Sequence, residues 1–332
     1  MSNLQVISAE EVNSLITVRD GEVKLGERVH TPEVADWVES LKACPARFVL
    51  LGIPEDIGVR ANYGVGGTHT AWSEALKAIL NLQNTDSLSG DSLAILGCFN
   101  FSDWMKKADH MDIPGLRDTV GRIDEEVFQV VREIIAAGKV PIVVGGGHNN
   151  CYPLLKAASV AHGVPVNCIN LDPHSDFRAI EGRHSGNGFR YAKMEGYLRK
   201  YAIIGLHRNY NSQTVLEVLQ ADEDVQYSFY EDMFLHEPDR FHSTIEQAIR
   251  FTSGTPTGIE LDLDAIAGVL ASAATPSGIT VLQARQYITW CAQLSTPAYL
   301  HLPEGITNRN DGSMDPSTGK LLAYLVSDFM RG

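Results

Sequence analysis

Short apolar runs that end in polar clusters constrain this chain most. Phe48–Gly52, Leu93–Leu96, Val140–Val144, Val164–Ile169, Tyr201–Ile204, Thr257–Leu261 and Ala298–Leu302 all have strand length and are mostly apolar. Between them lie segments of helical character: Thr70–Asn81, Leu116–Ala137 with Gly138 as a C-cap, Gln283–Leu294 and Leu321–Met330. Apolar strands separated by helices predict a parallel sheet covered on both faces. No repeat or Pro/Ser-rich linker divides the chain. Residues 46–332 therefore read as one domain, and residues 1–45 as an N-terminal extension packed on it.

Composition narrows the function. A formal charge of −14 opposes binding to nucleic acid or to an anionic membrane. No stretch is long and apolar enough to span a bilayer. The segment Met1-Ser2-Asn3-Leu4-Gln5 lacks the basic and apolar regions of a signal peptide. Five scattered cysteines with no CxxC pair fit a reducing compartment. A cytoplasmic protein is expected.

Three of the strand ends carry the chemistry. Asp172, His174 and Asp176 stand at alternate positions straight after Val164–Ile169, so they share a face if the chain stays extended. His148 follows the run Gly145-Gly146-Gly147 after another strand, and Asp262 and Asp264 close a third. Each has a plain structural explanation when taken singly: a histidine in a turn, or an aspartate as a helix cap. Together they differ, because ligands of open parallel sheets bind beyond the carboxyl ends of the strands, and all six fall at that edge. Two histidines and four aspartates can hold two divalent ions. A carboxylate-rich set without cysteine suits manganese. Bound metal lowers the pKa of water towards neutrality and so supplies a nucleophile.

These motifs, Gly-Gly-Gly-His148, Asp172-x-His174-x-Asp176 and Asp262-x-Asp264, resemble in order those of the ureohydrolase superfamily, which includes arginases, agmatinases and formimidoylglutamases. The resemblance runs from about Val49 to the C-terminus. It implies a three-layer α/β/α sandwich around a central parallel sheet, and hydrolysis of a guanidine or amidine C–N bond at a dinuclear manganese centre. It also implies the ligand sets. One Mn2+ ion would take His148, Asp172, Asp176 and Asp262; the other would take His174, Asp172, Asp262 and Asp264. Asp176 would pass a proton to the leaving nitrogen. A homo-oligomer is expected from the same resemblance.

Within the superfamily the chain is most similar to formimidoylglutamases. Gly147 stands where arginases and agmatinases typically carry Asp. Gly58-Val59-Arg60-x-Asn62 and Asp176-Phe177-Arg178 resemble that branch's motifs, and Ser185-Gly186-Asn187-Gly188-Phe189 resembles the family's substrate loop. Arg178, Arg60, Ser185 and Asn187 are the expected substrate-binding residues. Phe189 aligns with a catalytic histidine of arginases, which leaves His184 as the candidate proton carrier. His301 aligns with the glutamate that pairs with guanidinium in arginases, and Glu304, three residues further on, faces the opposite side if the strand stays extended; both join the expected substrate-binding residues. The expected reaction is N-formimidoyl-L-glutamate plus water to L-glutamate and formamide, a step of histidine degradation. The alternatives are an agmatinase- or arginase-like hydrolase that releases urea, and a non-catalytic metal-binding member of the fold.

Overall fold

A computed structural model describes residues 3–237, 240–294, 296–309 and 311–332. Met1 and Ser2, which open the segment read above for a leader, lie outside the described residues. Nine strands form one sheet: β1 (Leu4–Val6), β2 (Phe48–Gly52), β3 (Leu93–Phe99), β4 (Val140–Val144), β5 (Val166–Leu171), β6 (Leu198–Leu206), β7 (Val225–Phe229), β8 (Thr257–Leu261) and β9 (Pro297–Leu302). Their order across the sheet is β1-β3-β2-β4-β9-β8-β5-β6-β7. Strands β2 to β9 pair in parallel, and β1 runs antiparallel along the edge of β3.

Side-chain alternation sorts the strands between two cores. In β2, Phe48 and Leu50 pack on one face with the helices Ala71–Leu80, Arg240–Thr252, Val281–Ala292 and Ser317–Met330. Val49 and Leu51 pack on the other, with Ile113–Ala136 and Cys151–His162. Both faces are closed to water, which is why these strands are apolar at every position rather than alternately. The result is a three-layer α/β/α sandwich, as the sequence predicts.

Two strands escape the sequence reading. β1 is three residues long, and it ties the N-terminal segment into the sheet. β7 is half-buried throughout, because it lies at the opposite edge. The strand predicted from Val164 begins at Val166. Among the described residues, no helix is long and apolar enough to cross a membrane.

The sheet order positions the site. β4 and β5 are consecutive in the chain, yet β9 and β8 lie between them. The four carboxyl ends β4, β9, β8 and β5 therefore stand side by side and deliver His148, Glu304, Asp262 and Asp172 to one crevice.

Candidate metal centre and substrate cavity

The loop after β4 is built for close approach. Gly145 and Gly146 have φ of 85° and 78°. A Cβ on Gly147 would stand 2.5 Å from Asn149 Oδ1 and 2.9 Å from Val59 Cγ2, so an aspartate does not fit there without movement. Glu55, fully buried just beyond β2, ties the loop down. It accepts from Gly147 N at 3.0 Å, Asn150 Nδ2 at 2.8 Å and Gly58 N at 3.1 Å. Glu304 accepts from His148 N at 2.6 Å. Between them these two acids fix the backbone from which His148 projects.

His148 Nδ1 faces three carboxylates at once: Asp172 Oδ2 at 3.1 Å, Asp176 Oδ2 at 3.0 Å and Asp262 Oδ2 at 3.0 Å. One ring nitrogen carries at most one hydrogen, so it cannot satisfy three acceptors. On the other side of Asp172, His174 Nδ1 lies 3.5 Å from Asp172 Oδ1 and 3.3 Å from Asp264 Oδ2. Asp264 Oδ1 is buried with no hydrogen-bond partner. Burial and the neighbouring Asp172 push the Asp176 carboxyl up, and burial and Asp264 push Asp262 up further. Asp264 is pushed up to about 6 by burial, against the pull of His174. Burial with Asp262 beside it takes Glu304 to about 8. Asp172 goes the other way: burial works to raise it, but His148 and His174 hold it well below the usual range. Crowded, desolvated acids around two imidazoles are what a multivalent cation relieves. The residues fit metal.

Among the described residues three donor groups emerge, His148/Asp172/Asp176/Asp262, Asp172/His174/Asp264 and, behind His148, His148/Glu260/His301, each with one ligand atom per residue and all of these within 4.8 Å of one another. Asp172 belongs to the first two. Asp262 enters only the first; its Oδ1 accepts from Asp264 N at 2.8 Å. Asp176 has φ 46°, a left-handed backbone uncommon for aspartate, and this turn swings its carboxylate back beside Asp172.

Above the cluster opens a cavity of about 530 Å³. Asp176, His174, Asp262, Asp264 and Glu304 form its acidic floor, and Arg178, Arg190, Ser185, Asn62, Tyr210 and Asn211 stand on its walls. Tyr210 stacks on His174 with ring centroids 5.2 Å apart. Of the expected substrate residues, Arg178, Ser185 and Glu304 line this cavity. The arrangement of the last corrects the strand-based picture: β9 ends at Leu302, and φ 66° at Glu304 turns its carboxylate into the crevice.

Four candidates are not on the cavity wall. Arg60 turns to Asp109 at 3.0 Å and Asp56 at 3.5 Å. His184 is buried, not a solvated loop residue: its Nδ1 accepts from Gly186 N at 3.1 Å, and Nε2 meets Glu181 Oε1 at 3.2 Å. Asn187 is fully buried, accepting from Arg183 Nη1 at 2.7 Å and donating to Gly182 O at 2.8 Å. His301 is fully buried against Glu260, Nδ1 to Oε2 at 2.6 Å. Arg60, His184 and Asn187 are engaged by neighbouring side chains and backbone, and His301 is held through Nδ1 by Glu260 while its Nε2 stays buried without a partner.

Residues the sequence reading passed over complete the frame. Glu260 also accepts from Tyr299 OH at 2.8 Å and lies 3.4 Å from His148 Nε2, so it backs the ring whose other nitrogen faces the acids. Arg183 donates to Asp124 Oδ2 at 2.9 Å and to Asn149 O at 2.8 Å, which braces the turn after His148.

This arrangement has relatives. The family model for the arginase family matches residues 46–298. The chain belongs to the arginase family. A formimidoylglutamase of Hahella chejuensis is 28% identical over 200 residues, 56% of this chain and 56% of that protein. One of Aromatoleum aromaticum is 25% identical over 259 residues, 72% and 71% of the two chains. The human mitochondrial guanidino acid hydrolase is 29% identical over 196 residues, 56% of this chain and 53% of that protein. The chain thus spans little more than half the length of two of these three relatives. Among solved structures, Bacillus subtilis formimidoylglutamase superposes with TM-score 0.75 at 16% identity, covering 95% of this chain and 93% of the other. Trypanosoma cruzi formiminoglutamase with Mn2+ gives 0.73 at 18%, covering 93% and 97%. These likenesses establish the fold.

Proposed function

We propose that the protein hydrolyses the C–N bond of a linear amidine, with N-formimidoyl-L-glutamate as the substrate and L-glutamate and formamide as products. One observation carries this reading: the cavity has an acidic floor and an arginine-bearing wall. A ligand of opposite polarity fits it, cationic at one end and anionic at the other. Formimidoylglutamate has an amidinium head and two carboxylates; agmatine has no carboxylate. Several relatives named formimidoylglutamase support the same choice.

His148, Asp172, Asp176 and Asp262 would hold one Mn2+ ion, and His174, Asp172, Asp264 and Asp262 the second. Bound there, divalent cations supply Lewis acidity and bring the pKa of water near neutrality. The protein's own residues do the rest. Glu304, which stands outside both ligand sets with Oε2 unpartnered, accepts from the amidinium N–H groups and orients them. Asp176, on the cavity floor, accepts a proton at Oδ from the attacking water and returns it to the glutamate nitrogen as the C–N bond breaks. The water oxygen ends in formamide, and the proton on the released amine. Arg178 holds a substrate carboxylate away from the reacting carbon. His184 and Asn187 serve by shaping the loop that presents Ser185.

Manganese-loaded protein should release formamide from N-formimidoyl-L-glutamate, and Asp176→Asn should abolish release. A screen that returned urea from agmatine, arginine, guanidinobutyrate or guanidinoacetate instead would move the protein to the guanidine hydrolases. Manganese binding with neither product would make it a non-catalytic member of the fold.

A further inference from the structure

Arg190 has no part in the reading of the sequence, yet it lines the cavity. It projects from the short helix Gly188–Met194, is half-buried, and makes no hydrogen bond or ion pair among the described residues. Among the described residues its sole ring neighbour is Phe177, 6.0 Å from the guanidinium carbon and at the limit of a cation–π contact. The other arginines near the site are engaged. Arg183 is paired with Asp124 at 2.9 Å, Arg60 with Asp109 at 3.0 Å, and Arg117 donates to Glu181 O at 2.6 Å. Arg178 is held lightly, donating to Asn62 Oδ1 at 2.9 Å with Glu181 3.9 Å away.

A half-buried guanidinium on a cavity wall, with no counter-anion among the described residues, is free to pair with an anion that enters the cavity. We infer that Arg190 is a specificity residue that reads a second carboxylate on the substrate, Arg178 taking the first, so that the cavity selects dicarboxylate amidines over monocarboxylates. This rests on the proposed function. Two guanidinium groups match two carboxylates while the acidic floor takes the amidinium, and planar guanidinium forks suit carboxylates geometrically.

The test separates carboxylate reading from turnover. Binding of L-glutamate and of L-glutamine, its neutral-side-chain isostere, is measured by calorimetry on the manganese-loaded protein and on Arg190→Gln and Arg190→Lys. Manganese content and melting temperature are matched first. Wild type should prefer glutamate by about tenfold or more, since the binding of one charged pair is at stake. Arg190→Gln should erase most of that ratio, and Arg190→Lys should recover part of it. The kcat/KM ratio for N-formimidoyl-L-glutamate over N-formimidoyl-L-glutamine should follow the same order. An unchanged ratio in Arg190→Gln, or no glutamate preference in the wild type, overturns the inference. A ratio that collapses in the binding assay of a protein that releases no formamide overturns the proposed function and leaves the carboxylate reader standing.

Discussion

Replacing Asp124 with Leu should unfold the protein several degrees earlier, for reasons that can be worked from one buried strut. Arg183 spans from Asp124 on the helix Ile113–Ala136 to Asn149 O beside His148 and to Asn187 under the substrate loop. Its guanidinium lies between the rings of Tyr152 and Tyr191, at 4.6 and 5.0 Å. Both charged side chains are more than nine-tenths buried. Leucine has nearly the shape of aspartate but accepts nothing, so it strands a buried cation, which costs about 3–5 kcal/mol. For 332 residues the unfolding entropy is roughly 0.7 kcal/mol per degree. The expected loss is therefore about 4–7 °C. Asp124→Asn should cost less, about 1–2 kcal/mol or roughly 2 °C, because an oxygen acceptor for Arg183 Nε survives. That ordering has a second basis: burial already pushes the Asp124 carboxyl up to about 6 despite Arg183, so much of its worth is as an acceptor rather than a charge. Calorimetric melting of the manganese-loaded variants reads the difference. A leucine variant that melts with the wild type, or a leucine variant no worse than the asparagine one, would refute the strut.

Other outcomes follow from the same geometry. Burial first, then the charges of Arg117 and Arg178, lower His184 from 6.5 to about 4. A depressed folded pKa stabilises above the unfolded value and is lost as pH falls through the folded one, so His184 should withdraw about 3 kcal/mol between those limits. Urea unfolding near neutrality and at mild acidity should show this slope flattened in His184→Gln; an unaltered slope counts against it. Glu260→Gln weakens the brace behind His148 Nε2 and should lower manganese affinity about 10–100-fold, read by metal titration, whereas unaltered affinity would assign Glu260 to the core alone. Chelation should lower the melting temperature by about 4 °C relative to protein held at about 100 times the manganese dissociation constant, a linkage of about 2.7 kcal/mol. No shift would mean that the acidic cluster is content without a cation.

The alternation of apolar strands and helices was enough to read the interior of the sheet, because strands buried on both faces are apolar at every position. The edges were not legible by that rule. Val225-Gln226-Tyr227-Ser228-Phe229 alternates because it is half-exposed, and Leu4–Val6 is too short to leave a pattern. The six acids and histidines of the centre were legible for one reason: polar groups directly beyond buried strands share an edge when the sheet is parallel. Applied at β2, the same rule singles out Glu55 and Asp56, and Glu55 proves to anchor the glycine loop. Two adjacent acids without a histidine make no ligand pattern, so the rule alone gives Glu55 no role.

His301 shows where a linear reading ends. Its place near the end of a strand gives it the same standing as Asp172, and an alignment puts it against substrate. What decides otherwise is that β9 pairs with β8 in a register that sets Glu260 opposite His301, across 41 residues of sequence. Paired side chains on neighbouring parallel strands meet, and a buried carboxylate takes the nearest donor it is offered. Once Glu260 holds both His301 and Tyr299, its remaining reach is towards His148 Nε2. The histidine that sequence assigns to the substrate therefore contacts the glutamate behind His148. The carboxylate that lines this side of the cavity is Glu304, whose left-handed backbone no strand pattern foretells.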